Sequence, residues 1–198
     1  MIKKSFQKTI LTYLLGITAL IQLSSCGYNS MIEKEERIKS QWAQVENSYQ
    51  RRADLIPNLV NTVKGAANFE KSTLTEIAEA RAKASSIQLD ASKLTQEQID
   101  AYQANQDALG KSIGRLLMTV ENYPDLKANE NFKELQSQLE GTENRIAVER
   151  NKFNEATEDY NAYTRKFPQN IVAWMFGFNQ KPYFKAREGS DKVPEVKF

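Results

Sequence analysis

The chain has 198 residues, with 27 Lys and Arg against 25 Asp and Glu, one cysteine and no histidine. The lone cysteine excludes an internal disulfide, and the missing histidine excludes Ser-His and Cys-His nucleophile pairs and histidine-based metal sites. The near balance of charge leaves no basic footprint for nucleic acid.

Lys3, Lys4 and Lys8 precede an uncharged run from Thr9 to Leu23, which ends in Leu23-Ser24-Ser25-Cys26. A positive start, an apolar middle and small residues before a cut are the order of a secretory signal. The run is about 15 residues long, short of the about 20 that a spanning helix needs, which favours a leader over an anchor. Its ending resembles the lipobox of bacterial lipoproteins, and the resemblance implies lipidation at Cys26. The expected organisation is a signal peptide over 1–26, one helical domain over 27–184 and a mobile polar tail over 185–198. Attachment to the cell membrane or outer membrane through the lipid would leave the domain outside the cytoplasm.

Helix formers dominate from Gly27 to Phe167, and apolar residues recur three and four apart, so the fold class is all-α. A first helix is predicted over about 30–53, with Met31, Ile38, Trp42, Val45 and Tyr49 on one seam. Asp54 and Pro57 predict a corner, because proline disfavours helix in the residue before it and is accepted in a first turn. The second helix then covers about 57–86, with Val60, Val63, Ala67, Leu74, Ile77 and Ala84 on its seam. Thr95-Gln96-Glu97-Gln98 is a capping-box pattern opening a third helix to about Tyr123. Tyr123-Pro124-Asp125 ends it, and the longest helix runs over about 129–166 on a three-four stripe from Phe132 to Tyr163. Short turns between amphipathic helices predict an antiparallel four-helix bundle with long helices and a short C-terminal helix or extended tail.

Arg52, Glu70, Arg81, Gln106 and Glu149 fall where the seams call for apolar side chains. Carboxylates inside a helical bundle suggest a di-iron or di-manganese centre, but such centres use Glu-x-x-His, and there is no histidine. Acid–base hydrolysis by paired glutamates needs a cleft. The reading carried forward is an interhelical polar network that fixes register. No cofactor and no catalytic residue are expected, so the chain reads as a non-enzyme.

Two stretches are distinctive: Arg51-Arg52-Ala53-Asp54-Leu55-Ile56-Pro57-Asn58-Leu59-Val60, and Tyr123-Pro124-Asp125-Leu126-Lys127-Ala128-Asn129. With Glu143-Asn144-Arg145-Ile146-Ala147, Arg150, Asn154, Asn161 and the ending Pro194-Glu195-Val196-Lys197-Phe198, they resemble the LemA family over nearly all the chain after the leader. The resemblance implies a four-helix, membrane-attached, extracytoplasmic protein and no established reaction.

An even number of antiparallel helices returns the C-terminal end to the membrane side, which puts Trp174, Phe176 and Phe178 near lipid headgroups or makes them a cap on the core. The opposite tip would gather Arg51, Asp54, Asn58, Asp125 and Lys127 as a surface for another envelope protein, unless these residues serve only as caps and turns. The leading functional reading is a non-enzymatic envelope scaffold or adaptor. The alternatives are a small-ligand or lipid-binding bundle, which needs an apolar cavity, and, last, an enzyme working with carboxylates.

Overall fold

The computed structural model describes residues 2–65 and 70–186, with side chains from Gly27 onward. Cys26 and the rest of the expected leader therefore lie outside the residues whose side chains are described, as do Ala67 and residues 187–198 of the expected tail. The described chain is all-helical: α1 (Ile2–Lys64), α2 (Lys71–Ser86), α3 (Gln96–Val120), α4 (Pro124–Ala128), α5 (Glu130–Arg165) and α6 (Gln169–Phe176). Among the described residues no helix is long and apolar enough to cross a membrane.

The predicted corner at 54–57 is not there. Pro57 lies inside α1, and the chain leaves the helix only after Lys64. Val60 and Val63 thus belong to the first helix rather than the second. Proline inside a helix removes one N–H and orphans the carbonyl four residues before it, here that of Ala53. Arg81 on α2 supplies the missing donor, with its Nε–H 2.8 Å from that carbonyl. A contact made 28 residues away has overridden a local breaker.

Other local signals hold. The Thr95 hydroxyl accepts from the Gln98 amide at 3.2 Å while the Gln98 side chain accepts from the Thr95 amide at 3.0 Å, closing the capping box of α3. Pro124 opens α4, where its absent N–H costs nothing. Asn129 then caps α5, its Oδ1 accepting from the amides of Asn131 and Phe132 at 2.9 and 3.3 Å. After α6 the chain turns at Gly177, which takes φ 76°, a left-handed value that glycine adopts without strain. Residues 178–186 are irregular and carry no helix or strand.

Two compact units are present among the described residues, one formed by residues 2–40 and 155–181 and the other by 41–65, 70–154 and 182–186. In the first, Met31 packs with Val172 and Ala173, flanked by Tyr163 and Phe178. Lys34 pairs with Asp159 at 2.5 Å, and Lys181 with Glu35 at 2.5 Å. Burial first, and then the Glu35 charge, push the Tyr160 hydroxyl up to about 12.

In the second unit, Ile56, Leu59 and Val63 of α1 share an apolar core with Ile77 of α2, Leu109 and Leu116 of α3, and Phe132 and Leu139 of α5. An aromatic cluster lies in the same unit. Trp42 stacks on Phe184 at 5.8 Å and 11°, and meets Phe153 at 5.6 Å and Tyr102 at 5.4 Å. Trp42, Tyr102 and Phe153 are residues the three-four stripes put on the buried face, joined by Phe184, which comes from outside any helix, whereas Ile56 and Leu59 fall on no predicted stripe and Val60, which does, is only half-buried.

Candidate functional site

The polar residues expected on the seams do not form one network. Arg52 and Gln106 do meet. The Arg52 guanidinium is wholly buried. Its Nη2 donates to the Gln106 side-chain oxygen at 2.7 Å and to the Gln106 carbonyl at 2.8 Å. Its Nη1 pairs with Glu143 at 2.6 Å, and the guanidinium lies 5.1 Å from the Tyr49 ring. Gln106 in turn donates to the Ala84 carbonyl at 3.1 Å, one of the acceptors left over in the last turn of α2. A charge taken out of water is tolerable only when it is answered, and here both terminal nitrogens are paired while the buried Nε has no hydrogen-bond partner.

Glu143 was not among the expected residues, because the stripe on α5 runs through its neighbour Thr142. Arg81 serves the Ala53 carbonyl rather than Arg52's partners. Glu149 is buried and held within its own helix by Arg145 at 3.0 Å and Lys152 at 3.2 Å. Glu70 is exposed at the start of α2, where its carboxylate accepts from Thr73 at 3.3 Å. Glu70 and Glu149 thus have separate partners, and among the described residues no acidic or cysteine group is disposed to hold a metal ion.

The residues expected at a distal tip lie on two helices, α1 and α4. Arg51, Asp54 and Asn58 are exposed along α1, not at a corner, and Asp54 accepts from Gln50 one turn earlier at 2.7 Å. Asp125 and Lys127 are exposed on α4, where Lys127 pairs with Glu121.

The expected aromatics near the membrane end divide by exposure. Trp174 is 84% exposed and Phe176 56%, alongside Phe167 at 80%. Phe178 is half-buried. Phe176 and Phe178 both pack edge-on against Tyr28, with ring centres 4.9 and 5.5 Å away.

One feature went unread in the sequence: how residues 182–186 are held. Tyr183 receives a hydrogen bond on its carbonyl from Gln96 at 3.0 Å and donates its amide to the same side chain at 3.3 Å. Phe184 makes the matching pair with Asn154 of α5, at 3.0 and 2.9 Å. The Lys185 carbonyl accepts from Gln103 at 3.2 Å and Arg150 at 2.8 Å. Successive peptide groups of an extended chain point to opposite sides, so Tyr183 is served by α3 and Phe184 by α5, while the Lys185 carbonyl takes one donor from each. Side-chain amides here take the place of neighbouring strands. In the first unit Asn161 makes the same bidentate clasp on Lys181, at 2.8 Å in both directions.

Beyond Lys185 lies a groove of about 980 Å³ between α3 and α5. Asp107, Lys111 and Glu140 edge its middle, and Ile113, Leu117 and Leu139 line it with apolar surface.

A family model for the LemA family matches residues 41–198, which takes in α2 to α6 and the last part of α1, from residue 41 to 64. This chain belongs to the LemA family. Among its relatives, Magnetosome protein MamQ 2 of Paramagnetospirillum magneticum is 27% identical, with 89% of this chain and 71% of the relative aligned. Magnetosome protein MamQ of Magnetospirillum gryphiswaldense is 25% identical over the same shares. Protein LemA of Metamycoplasma hominis is 24% identical over 81% of this chain and 69% of its own. These matches point to no catalytic family.

Proposed function

We propose that this LemA-family chain is a lipid-anchored envelope protein whose antiparallel four-helix domain works outside the cytoplasm as a scaffold or adaptor, without catalysis. The observation that carries the reading is Tyr28. It stands two residues after Cys26, and its ring packs against Phe176 and Phe178. A lipid on Cys26 would therefore bring the exposed side chains of Phe167, Trp174 and Phe176 to the bilayer surface, where amphipathic aromatics settle.

The relatives named as magnetosome proteins support a role at a cellular structure rather than in solution chemistry. Docking of another envelope protein falls to the exposed charged residues Arg51, Asp54 and Asn58 on α1 and Asp125 and Lys127 on α4.

The membrane part is tested with residues 27–198 carrying Trp42→Phe, mixed with liposomes of phosphatidylglycerol and phosphatidylethanolamine. Trp174 emission shifts to the blue if the aromatic end meets lipid, and an unchanged spectrum rejects that contact. The adaptor part is tested by photo-crosslinking in intact cells from probes at Arg51 and Lys127, with Lys133 as control. One protein captured from both sites and not from the control supports it.

A further inference from the structure

We propose that the outer face of α6, together with Arg165 and Lys166, is a binding surface for anionic phospholipids in the membrane that carries the protein. The inference rests on the membrane contact proposed above and adds the class of headgroup that the contact selects.

Helix α6 is apolar on both sides. It packs Val172 and Ala173 against Met31, yet Ile171, Trp174, Met175 and Phe176 are exposed. A surface helix in water keeps polar residues on its outer face, and one that is apolar all round needs a second cover. Its length narrows what the cover is. Eight residues of helix rise about 12 Å against about 30 Å for a hydrocarbon core, so α6 can lie in a bilayer surface but not cross it. Aromatic and other bulky apolar side chains on one face suit that layer.

The charges beside the helix have one sign. From Tyr160 to Lys181 the sequence has no Asp or Glu, and its cations are Arg165, Lys166 and Lys181. Lys181 is answered by Glu35, and Lys34 of the same unit by Asp159. Arg165 and Lys166 are exposed and form no ion pair among the described residues. They stand at the end of α5, directly before the exposed ring of Phe167. Each has a long apolar stem, so the neighbouring rings can enter the acyl boundary while the cationic heads stay level with the phosphates. An anionic headgroup supplies the counter-charge that the fold leaves out, and basic residues close to such a surface strengthen binding within a Debye length. A zwitterionic headgroup supplies no net charge to meet them.

The test uses the full chain reconstituted into phosphatidylcholine vesicles that contain equal fractions of either brominated phosphatidylglycerol or brominated phosphatidylcholine. Bromine quenches an indole that lies beside it. Trp174→Phe is the blank for Trp42, which is buried and stays in place. Anionic selection gives quenching of Trp174 that is about twofold or more stronger from the brominated phosphatidylglycerol, a difference that 1 M salt removes, as about 3 Å of screening requires. Arg165→Gln with Lys166→Gln should bring the two lipids to the same level without abolishing quenching. Equal quenching by both lipids in the unchanged chain overturns the proposal and leaves the membrane contact standing. No quenching by either overturns both and gives the face to a protein partner. A preference that survives the double substitution overturns the assignment to Arg165 and Lys166. Both residues are exposed and outside any ion pair among the described residues, so the variant keeps its fold and the comparison holds.

Discussion

Arg81 donates its Nε–H to the carbonyl of Ala53 at 2.8 Å, and that carbonyl is the one Pro57 leaves without a helical partner. The relationship ties a break in the backbone pattern of α1 to one side chain of α2. Arg81→Leu is expected to destabilise the protein by about 1–3 kcal/mol, the cost of a buried acceptor left unmade. In a Pro57→Ala background the amide of residue 57 can serve Ala53, so the same Arg81→Leu change should cost clearly less. Urea unfolding of the two single variants and the double variant measures the coupling. Equal costs in both backgrounds would show that Arg81 acts elsewhere.

Arg52 should be more sensitive to losing its counter-charge than to losing its own. Glu143→Ala leaves a buried guanidinium with only Gln106 to answer it and is expected to cost about 3 kcal/mol. Arg52→Met with Glu143→Leu removes both charges and should be the more stable variant in thermal melts. The reverse order would mean that Arg52 contributes through its contacts with Gln106 and Tyr49.

Glu46 gives a pH dependence of unusual sign. Burial raises its carboxyl above the ordinary value. The folded state therefore binds this proton more tightly than the unfolded state, and the group's contribution to stability falls as pH rises through that range. Glu46→Gln should raise the melting temperature at pH 7 and leave it unchanged at pH 3.5, where both side chains are neutral. A gain of the same size at both values would refute the assignment.

Phe184 is expected to behave as a core residue even though no helix carries it. It is 4% exposed, stacks on Trp42 and lies under the Arg150 guanidinium at 4.9 Å. Phe184→Ala should cost about 3–5 kcal/mol. Asn154→Ala should expose the Phe184 amide, which hydrogen exchange reads directly as lost protection at that residue, with Tyr183 less affected because Gln96 holds it.

Much of the helical pattern could be read from residue order because its causes are local. The seam of Met31, Ile38, Trp42, Val45 and Tyr49 is buried as its spacing requires, and Thr95 and Gln98 cap α3 as their types require. What escaped depends on partners far along the chain. Pro57 is a reliable breaker only until an arginine 28 residues later serves the orphaned carbonyl. Glu143 sits beside the stripe, not in it, and only its meeting with Arg52 across 91 residues gives it a role. A faint signal for the extended segment was present: Gln96 and Gln103 stand seven apart on α3, a spacing that puts two amides on one face. Nothing in that spacing named Tyr183 and Lys185 as what they would hold.

The clasp on residues 182–186 also sets an order of events in folding. Its hydrogen bonds join Tyr183 to a residue 87 positions earlier, Lys185 to one 82 earlier and Phe184 to one 30 earlier. Each closes a loop whose entropy must be offset before the contact gains anything. A chain made from its N-terminus presents Trp42 to the solvent, or to chaperones, until residue 184 has emerged and Phe184 can cover it. Shortened products of synthesis would thus carry an uncovered indole face, a mark by which quality control can separate them from finished protein.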